Sequence, residues 1–158
     1  MTRQNLFKLL LAIVMCELAG IIGSFFTTPA IPIWYASLVK PSFNPPSWLF
    51  APVWTILFLL MGIAFYLIWR KMSTDKSAKL AMIIFVAHLG INILWSVLFF
   101  GMKNPLYALI DIAVLWLMIA YLIYAFMAID KRAAYLLVPY LLWVSFATVL
   151  NFTLWQLN

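Results

Sequence analysis

Trp34-Tyr35-Ala36-Ser37-Leu38-Val39-Lys40-Pro41-Ser42-Phe43-Asn44-Pro45-Pro46-Ser47-Trp48, running on into Leu49-Phe50-Ala51-Pro52-Val53-Trp54-Thr55, separates the first long apolar run of the chain from the second. Six of the eight prolines fall between Pro29 and Pro52, with aromatic rings and Lys40 interleaved among them. Proline fixes φ and biases the residue before it towards extended backbone, so such a connection is stiff for its length. Read as a loop over 27–51, it exceeds the dozen or so residues (about 12–15) that compact connections rarely pass without a task. A stiff aromatic loop at the edge of an apolar bundle has the composition of a lid over a flat, greasy ligand.

The apolar runs on either side set the class. Hydrophobic residues make up 68% of the 158, charged residues 9%, and the mean hydropathy is +1.10. A water-soluble domain of this size has too much surface to hide that composition, whereas a lipid solvent removes the problem. Spans of about 20 apolar residues are the expected unit. Five are legible, over 9–26, 52–69, 80–100, 106–129 and 133–157, giving an all-α integral membrane protein with one transmembrane domain over 1–158. The first run is too long, and too devoid of a small-residue cleavage site, for a removable signal peptide. The single Cys16 excludes an intramolecular disulfide. No internal repeat of the kind that builds alternating-access transporters is visible.

The net charge of +6 reads as topology, since the basic residues flank the spans and no nucleic-acid motif accompanies them. Arg3, Lys8, Arg70, Lys71, Lys76, Lys79, Lys131 and Arg132 fall on one side and Lys40 and Lys103 on the other. Cytoplasmic loops carry the Lys/Arg excess. The N-terminus is therefore expected inside, the C-terminus and the proline-aromatic loop outside, in the cell membrane.

Span direction then orders the unusual residues by depth. Trp54 begins the second span under the outer surface; His88, Asn92 and Trp95 climb one face of the third; Trp143, Ala147 and Asn151 climb one face of the fifth. These markers converge below the loop, which is the physical argument for a site there. Trp48, Trp69 and Trp155 fit an interfacial aromatic belt instead. Asn92, Ser96 and Asn151 also suit interhelical hydrogen bonding, and the ladder Ala12, Cys16, Gly20, Ser24 suits close helix packing. Ionisable side chains inside a membrane are costly and tend to be functional. Glu17 and Asp111 are accordingly expected to be structural or proton-linked. A lone membrane glutamate is also a feature of small proton-exchanging multidrug transporters, which are shorter and lack this loop. His88 has no co-ligands at metal-binding spacing, so no metal site is expected; single axial ligation of a haem iron is the alternative reading of that histidine. No catalytic triad, paired carboxylates or nucleotide fingerprint is present, so there is no conventional enzyme machinery.

Three segments carry a resemblance: Trp34-Tyr35 through Lys40-Pro41 to Pro45-Pro46; Pro52-Val53-Trp54-Thr55 with Met61-Gly62; and Pro139-Tyr140-Leu141-Leu142-Trp143 on through Ala147 to Asn151. Asn92-Ile93-Leu94-Trp95-Ser96, Phe99-Phe100-Gly101 and Asp111 support it. On these residues the chain resembles the TspO/MBR family, the tryptophan-rich sensory proteins related to the mitochondrial translocator protein, or peripheral benzodiazepine receptor. The resemblance implies a five-helix bundle, often a homodimer, whose pocket is closed by the first loop. It implies binding of porphyrins such as protoporphyrin IX, and of benzodiazepine- or isoquinoline-type ligands, as ligand or substrate and with no required cofactor. The matching positions are Trp34, Tyr35, Trp54, Asn92, Trp95, Trp143 and Ala147. His88 lies on the Asn92 face, and Lys40 is chosen as the cation for porphyrin carboxylates.

Three functions follow from that resemblance: a sensor of tetrapyrrole and oxidative stress; a light- and oxygen-dependent porphyrin degrader using Trp54 and Trp143; or a porphyrin or lipophile transporter. Animal members end the fifth helix in a cholesterol-recognition pattern that needs a tyrosine followed by a basic residue. Leu150-Asn151-Phe152-Thr153-Leu154-Trp155-Gln156-Leu157-Asn158 has neither.

Overall fold

The computed structural model describes residues 2–158. It contains five long helices, α1 (Arg3–Ala30), α2 (Phe50–Trp69), α3 (Lys76–Ser96), α4 (Pro105–Ile129) and α5 (Lys131–Leu157), and no strand among the described residues. Each is long and apolar enough to cross a membrane. The protein is thus an all-α, five-span bundle, as the apolar runs predict.

The helices begin earlier than apolarity alone suggests, because polar caps set their starts. Thr2 Oγ1 accepts from the Asn5 amide at 3.3 Å, and the Asp75 carboxylate accepts from the Ser77 amide at 2.9 Å. Asn104 and Asp130 do the same for the amides of Tyr107 and Arg132, both at 3.0 Å. These residue types satisfy the amides that a helix leaves orphaned at its N-terminus. So α1 starts at Arg3 rather than at 9, and α3 at Lys76 rather than at 80.

The largest difference from expectation lies at the proline-aromatic stretch. α1 does not stop near 26; it continues through a π-helical turn, Ile31–Tyr35, and two further helical residues. Pro29 and Pro32 lie within this helical run. Each lacks a backbone donor; the helix continues as α-helix past Pro29 and widens into the π turn at Pro32 instead of ending. Trp34 and Tyr35 therefore sit on a helix, not in a loop, and the expected loop over 27–51 shrinks to 38–46, followed by a single turn at Ser47–Leu49. That short connection is pinned. The Tyr35 hydroxyl donates to Asn44 Oδ1 at 2.6 Å, while Asn158 accepts from the Val39 amide at 2.9 Å and donates to its carbonyl at 3.1 Å. A second π-helical turn, Val97–Gly101, extends α3. It packs edge-on against the first, with Trp34 5.3 Å from Phe99 and 6.2 Å from Phe100 between ring centres.

The helices close into a ring in the order α1, α2, α5, α4, α3. At the α1–α2 seam, a Cβ on Gly62 would stand 2.6 Å from Ile13 Cα, a separation that only glycine permits. Lys8 lies over the Trp69 ring, and Arg70, Lys71, Asp130 and Arg132 share one small cleft, so the N-terminus and those connections meet at one end. The 38–46 connection, Pro105 and the C-terminal residues meet at the other.

Candidate functional site

A cavity of about 380 Å3 occupies the half of the bundle nearest the 38–46 connection. That volume lies in the range of pockets for drug-sized ligands, about 300–1,000 Å3. The aromatic wall comes from three helices. Trp54 of α2 sits against Phe58 and edge-on to Tyr140; Trp143 of α5 contacts Phe50 and Phe146; Trp95 of α3 stacks on Phe99 at 5.0 Å. The α1 wall is thin, because Ala19, Gly20, Gly23 and Ser24 present little side chain there. A Cβ on Gly20 would stand 2.5 Å from the Phe58 ring, so that ring packs directly against the α1 backbone and would have to shift to admit any side chain there.

Two polar networks fix the interior surface. Trp95 Nε1 donates to Asn151 Oδ1 at 3.1 Å, and Asn151 Nδ2 donates to the Pro105 carbonyl at 2.8 Å, tying α3, α5 and α4 together. Asn92 Nδ2 donates to the Tyr140 hydroxyl at 2.8 Å, which lies 3.0 Å from His88 Nε2; His88 Nδ1 lies 3.1 Å from the Phe85 carbonyl. The arrangement closes if Tyr140 donates to Nε2 and the histidine carries its proton on Nδ1. Buried polar groups satisfied in this way hold their side chains in one orientation. By contrast, the indole N–H groups of Trp54 and Trp143 have no acceptor among the described residues and are open to a ligand.

Of the residues expected at the site, Tyr35, Trp54, Asn92, Trp95, Trp143 and Ala147 line the cavity. Glu17, expected to be structural or proton-linked, lines it as well. Four others do not. Trp34 is turned against Phe99 and Phe100. Lys40 Nζ donates to the carbonyls of Ala36 and Leu38, both at 3.1 Å, and lies over the Tyr35 ring, so it is folded back on its own segment. His88 is wholly buried beneath Asn92, one helical turn too deep to reach the cavity. Asp111 is buried on α4 with Oδ2 unpartnered, outside the lining. Among the described residues, no three His, Cys, Asp or Glu side chains converge as metal ligands would.

Tyr140 was not singled out by the sequence, although it lies three residues before Trp143 and so one turn along the same face of α5. The small-residue ladder of α1 divides by depth: Ala12 and Cys16 are buried in helix packing, whereas Gly20 and Ser24 face the cavity. The lining also includes residues exposed on the outside of the bundle, Ser24 and Thr28 of α1 and Ala51 and Thr55 of α2. The cavity therefore opens sideways between α1 and α2.

Fold and cavity together define a five-span helical membrane protein with an aromatic, ligand-sized internal pocket. The chain belongs to the TspO/MBR family, whose pattern it matches over residues 12–156. It is 45% identical to the tryptophan-rich protein TspO of Chlorobaculum tepidum, over 98% of each chain. It is 42% identical to the tryptophan-rich sensory protein of Cereibacter sphaeroides over 79% of this chain and 77% of that one. With the translocator protein of Bos taurus the identity is 37%, over 90% of this chain and 85% of the relative.

Proposed function

We propose that this protein binds a flat, largely apolar ring system in the cavity, a tetrapyrrole such as protoporphyrin IX or a ring system of the benzodiazepine or isoquinoline kind, and acts as a sensor of tetrapyrrole and oxidative stress. The observation that carries this reading is the convergence of Trp54, Trp95 and Trp143 on one ligand-sized space, with the indole N–H groups of Trp54 and Trp143 unbonded. Aromatic faces stack on a planar macrocycle, each pair contributing about 0.5–1.5 kcal/mol beyond area burial. The cavity lining holds no Lys, Arg or His, so the carboxylates of a porphyrin belong at the open edge between α1 and α2. The name of the Cereibacter relative, a sensory protein, agrees with a sensing role.

The unbonded indoles of Trp54 and Trp143 favour a second reading, in which the same pocket supports light- and oxygen-dependent breakdown of the bound porphyrin. The translocator name of the mammalian relatives keeps transport as a third. The basic end of the bundle faces the cytoplasm on the positive-inside rule, and the protein pairs into a homodimer as the family resemblance implies.

Titration with protoporphyrin IX, followed by tryptophan quenching in nanodiscs, tests the binding reading. Saturable binding that weakens at least about tenfold in the Trp54→Ala, Trp143→Ala double variant is expected from two lost ring contacts. Equal affinity in that variant overturns it. Illuminating the complex and following the Soret band separates binding from breakdown, since breakdown requires faster bleaching than free porphyrin and a distinct product.

A further inference from the structure

The side chains that line the cavity have mostly been used by the fold. Ser24, Thr27 and Thr55 donate to carbonyls of their own helices, and the Tyr35 hydroxyl donates to Asn44. Trp95, Asn92 and Asn151 are committed to the two networks described above. Glu17 differs from all of these. It is the one charged side chain in the lining, and among the described residues its carboxylate accepts no hydrogen bond and makes no ion pair.

Its surroundings offer no relief. Glu17 lies fourteen residues into α1, about 20 Å along the axis, between the lipid-exposed Val14, Leu18 and Ile21 and the buried Cys16. The lysine nearest to it along the same helix, Lys8, lies over the Trp69 ring at the basic end, and Lys40 is folded back at the opposite end. A carboxylate at mid-membrane depth is costly unless it finds a partner, and such groups face a bundle interior or a cavity. The group left to complete Glu17 is one that a cavity occupant brings.

We propose that Glu17 is the charge selector of this cavity: its carboxylate pairs with a protonated nitrogen on the bound molecule, so the site prefers flat aromatic cations to flat anions of the same size. This rests on the proposed reading of the cavity as a ligand site; a porphyrin meets Glu17 with its pyrrole N–H groups, because under that reading its propionates stay at the opening between α1 and α2. A flat apolar cation satisfies both halves of the space at once, its rings against Trp54 and Trp143 and its nitrogen against Glu17. A flat anion places like charge against a carboxylate with no cation in the lining to offset it.

The test uses three fluorescent probes of one ring size, independent of any porphyrin: 9-aminoacridine as the cation, 9-anthracenemethanol as the neutral form, and 9-anthracenecarboxylate as the anion. Binding to the full-length protein in zwitterionic nanodiscs is measured against empty discs, so that partition into lipid is subtracted. The wild-type protein should prefer the cation to the anion by at least about tenfold, the scale of a hydrogen bond to a charged group. In Glu17→Gln that preference ratio should collapse towards unity, and in Glu17→Asp it should be largely retained. The ratio is the readout because a general loss of packing would weaken all three probes together. A ratio unchanged in Glu17→Gln, or no binding of any probe to the wild-type cavity, overturns the proposal. Loss of protoporphyrin binding alone, with the Glu17-dependent ratio intact, overturns the tetrapyrrole reading and leaves the selector standing.

Discussion

Gly62 and Gly90 should respond oppositely to the same substitution. Alanine in place of an exposed helical glycine stabilises by up to about 1 kcal/mol through backbone entropy. At Gly90 a Cβ would meet nothing within 4 Å, so that gain should appear whole. At Gly62 the Cβ would stand 2.6 Å from Ile13 Cα, 3.0 Å from Ile13 N and 3.1 Å from Ala12 O. All three atoms are backbone, so no rotamer change relieves the contact and α1 itself must move away. Overpacking of this kind costs about 1–3 kcal/mol. The entropy term is common to both sites, so the difference between Gly62→Ala and Gly90→Ala isolates the clash. A chain of this size shifts by about 2–4 °C per kcal/mol, so the two variants should separate by about 2–12 °C. Thermal unfolding followed by circular dichroism, in one detergent, is the assay. Glu17 and Gly20 lie one to two turns further along α1, so ligand affinity should also fall in Gly62→Ala. Superimposable melting curves for the two variants would refute the close α1–α2 seam.

Further outcomes follow from the polar groups. Tyr140→Phe strips the hydroxyl that serves both Asn92 and His88; leaving buried polar groups unpaired costs about 1–3 kcal/mol, which denaturation should report, and an unchanged midpoint would contradict the network. Asn158→Ala removes two hydrogen bonds to Val39 that pin the 38–46 connection, and stopped-flow should show ligand release about two- to tenfold faster; an unchanged rate means that this clamp does not hold the connection. Asp130 caps α5 and its carboxyl is held below its ordinary value, chiefly by hydrogen bonding from Arg132. The unfolded chain therefore takes up the proton first as pH falls. The stabilisation from this group is complete above the usual carboxylate range, about pH 4, and is lost as pH drops through the lower folded value. Asn also caps helices, so Asp130→Asn should keep the helix start while flattening stability between about pH 5 and 3; an unaltered pH profile would count against the pair.

The spans were legible because lipid imposes a length and a composition on them, and the cavity-lining Trp54, Asn92, Trp95, Trp143 and Ala147 were legible because helical spacing and span direction place them together. The α1 extension was not. Proline reads as a helix breaker in sequence, whereas here Pro29 stays within α1 and Pro32 within the π-helical turn, which packs its Trp34 ring against the turn at Val97–Gly101, a tertiary contact that no local pattern encodes. His88 shows a different limit. It shares a face with Asn92, but depth along that face decides whether a side chain reaches a cavity or lies under its floor. Lys40 shows a third, since a long side chain in a short connection finds carbonyl acceptors of its own segment. Glu17 was conspicuous as a membrane carboxylate, but only the thin wall of Ala19, Gly20 and Gly23 beside it shows which space it faces.

The anomalous scattering peak of zinc protoporphyrin IX in crystals of the complex locates the bound ring, because the metal marks the centre of the macrocycle. One peak is expected inside the bundle, with the macrocycle's pyrrole rings about 4.5–7 Å from the indoles of Trp54 and Trp143 and the propionates directed to the opening between α1 and α2. A peak on the lipid-facing surface, with the cavity unoccupied by the ring, would contradict it.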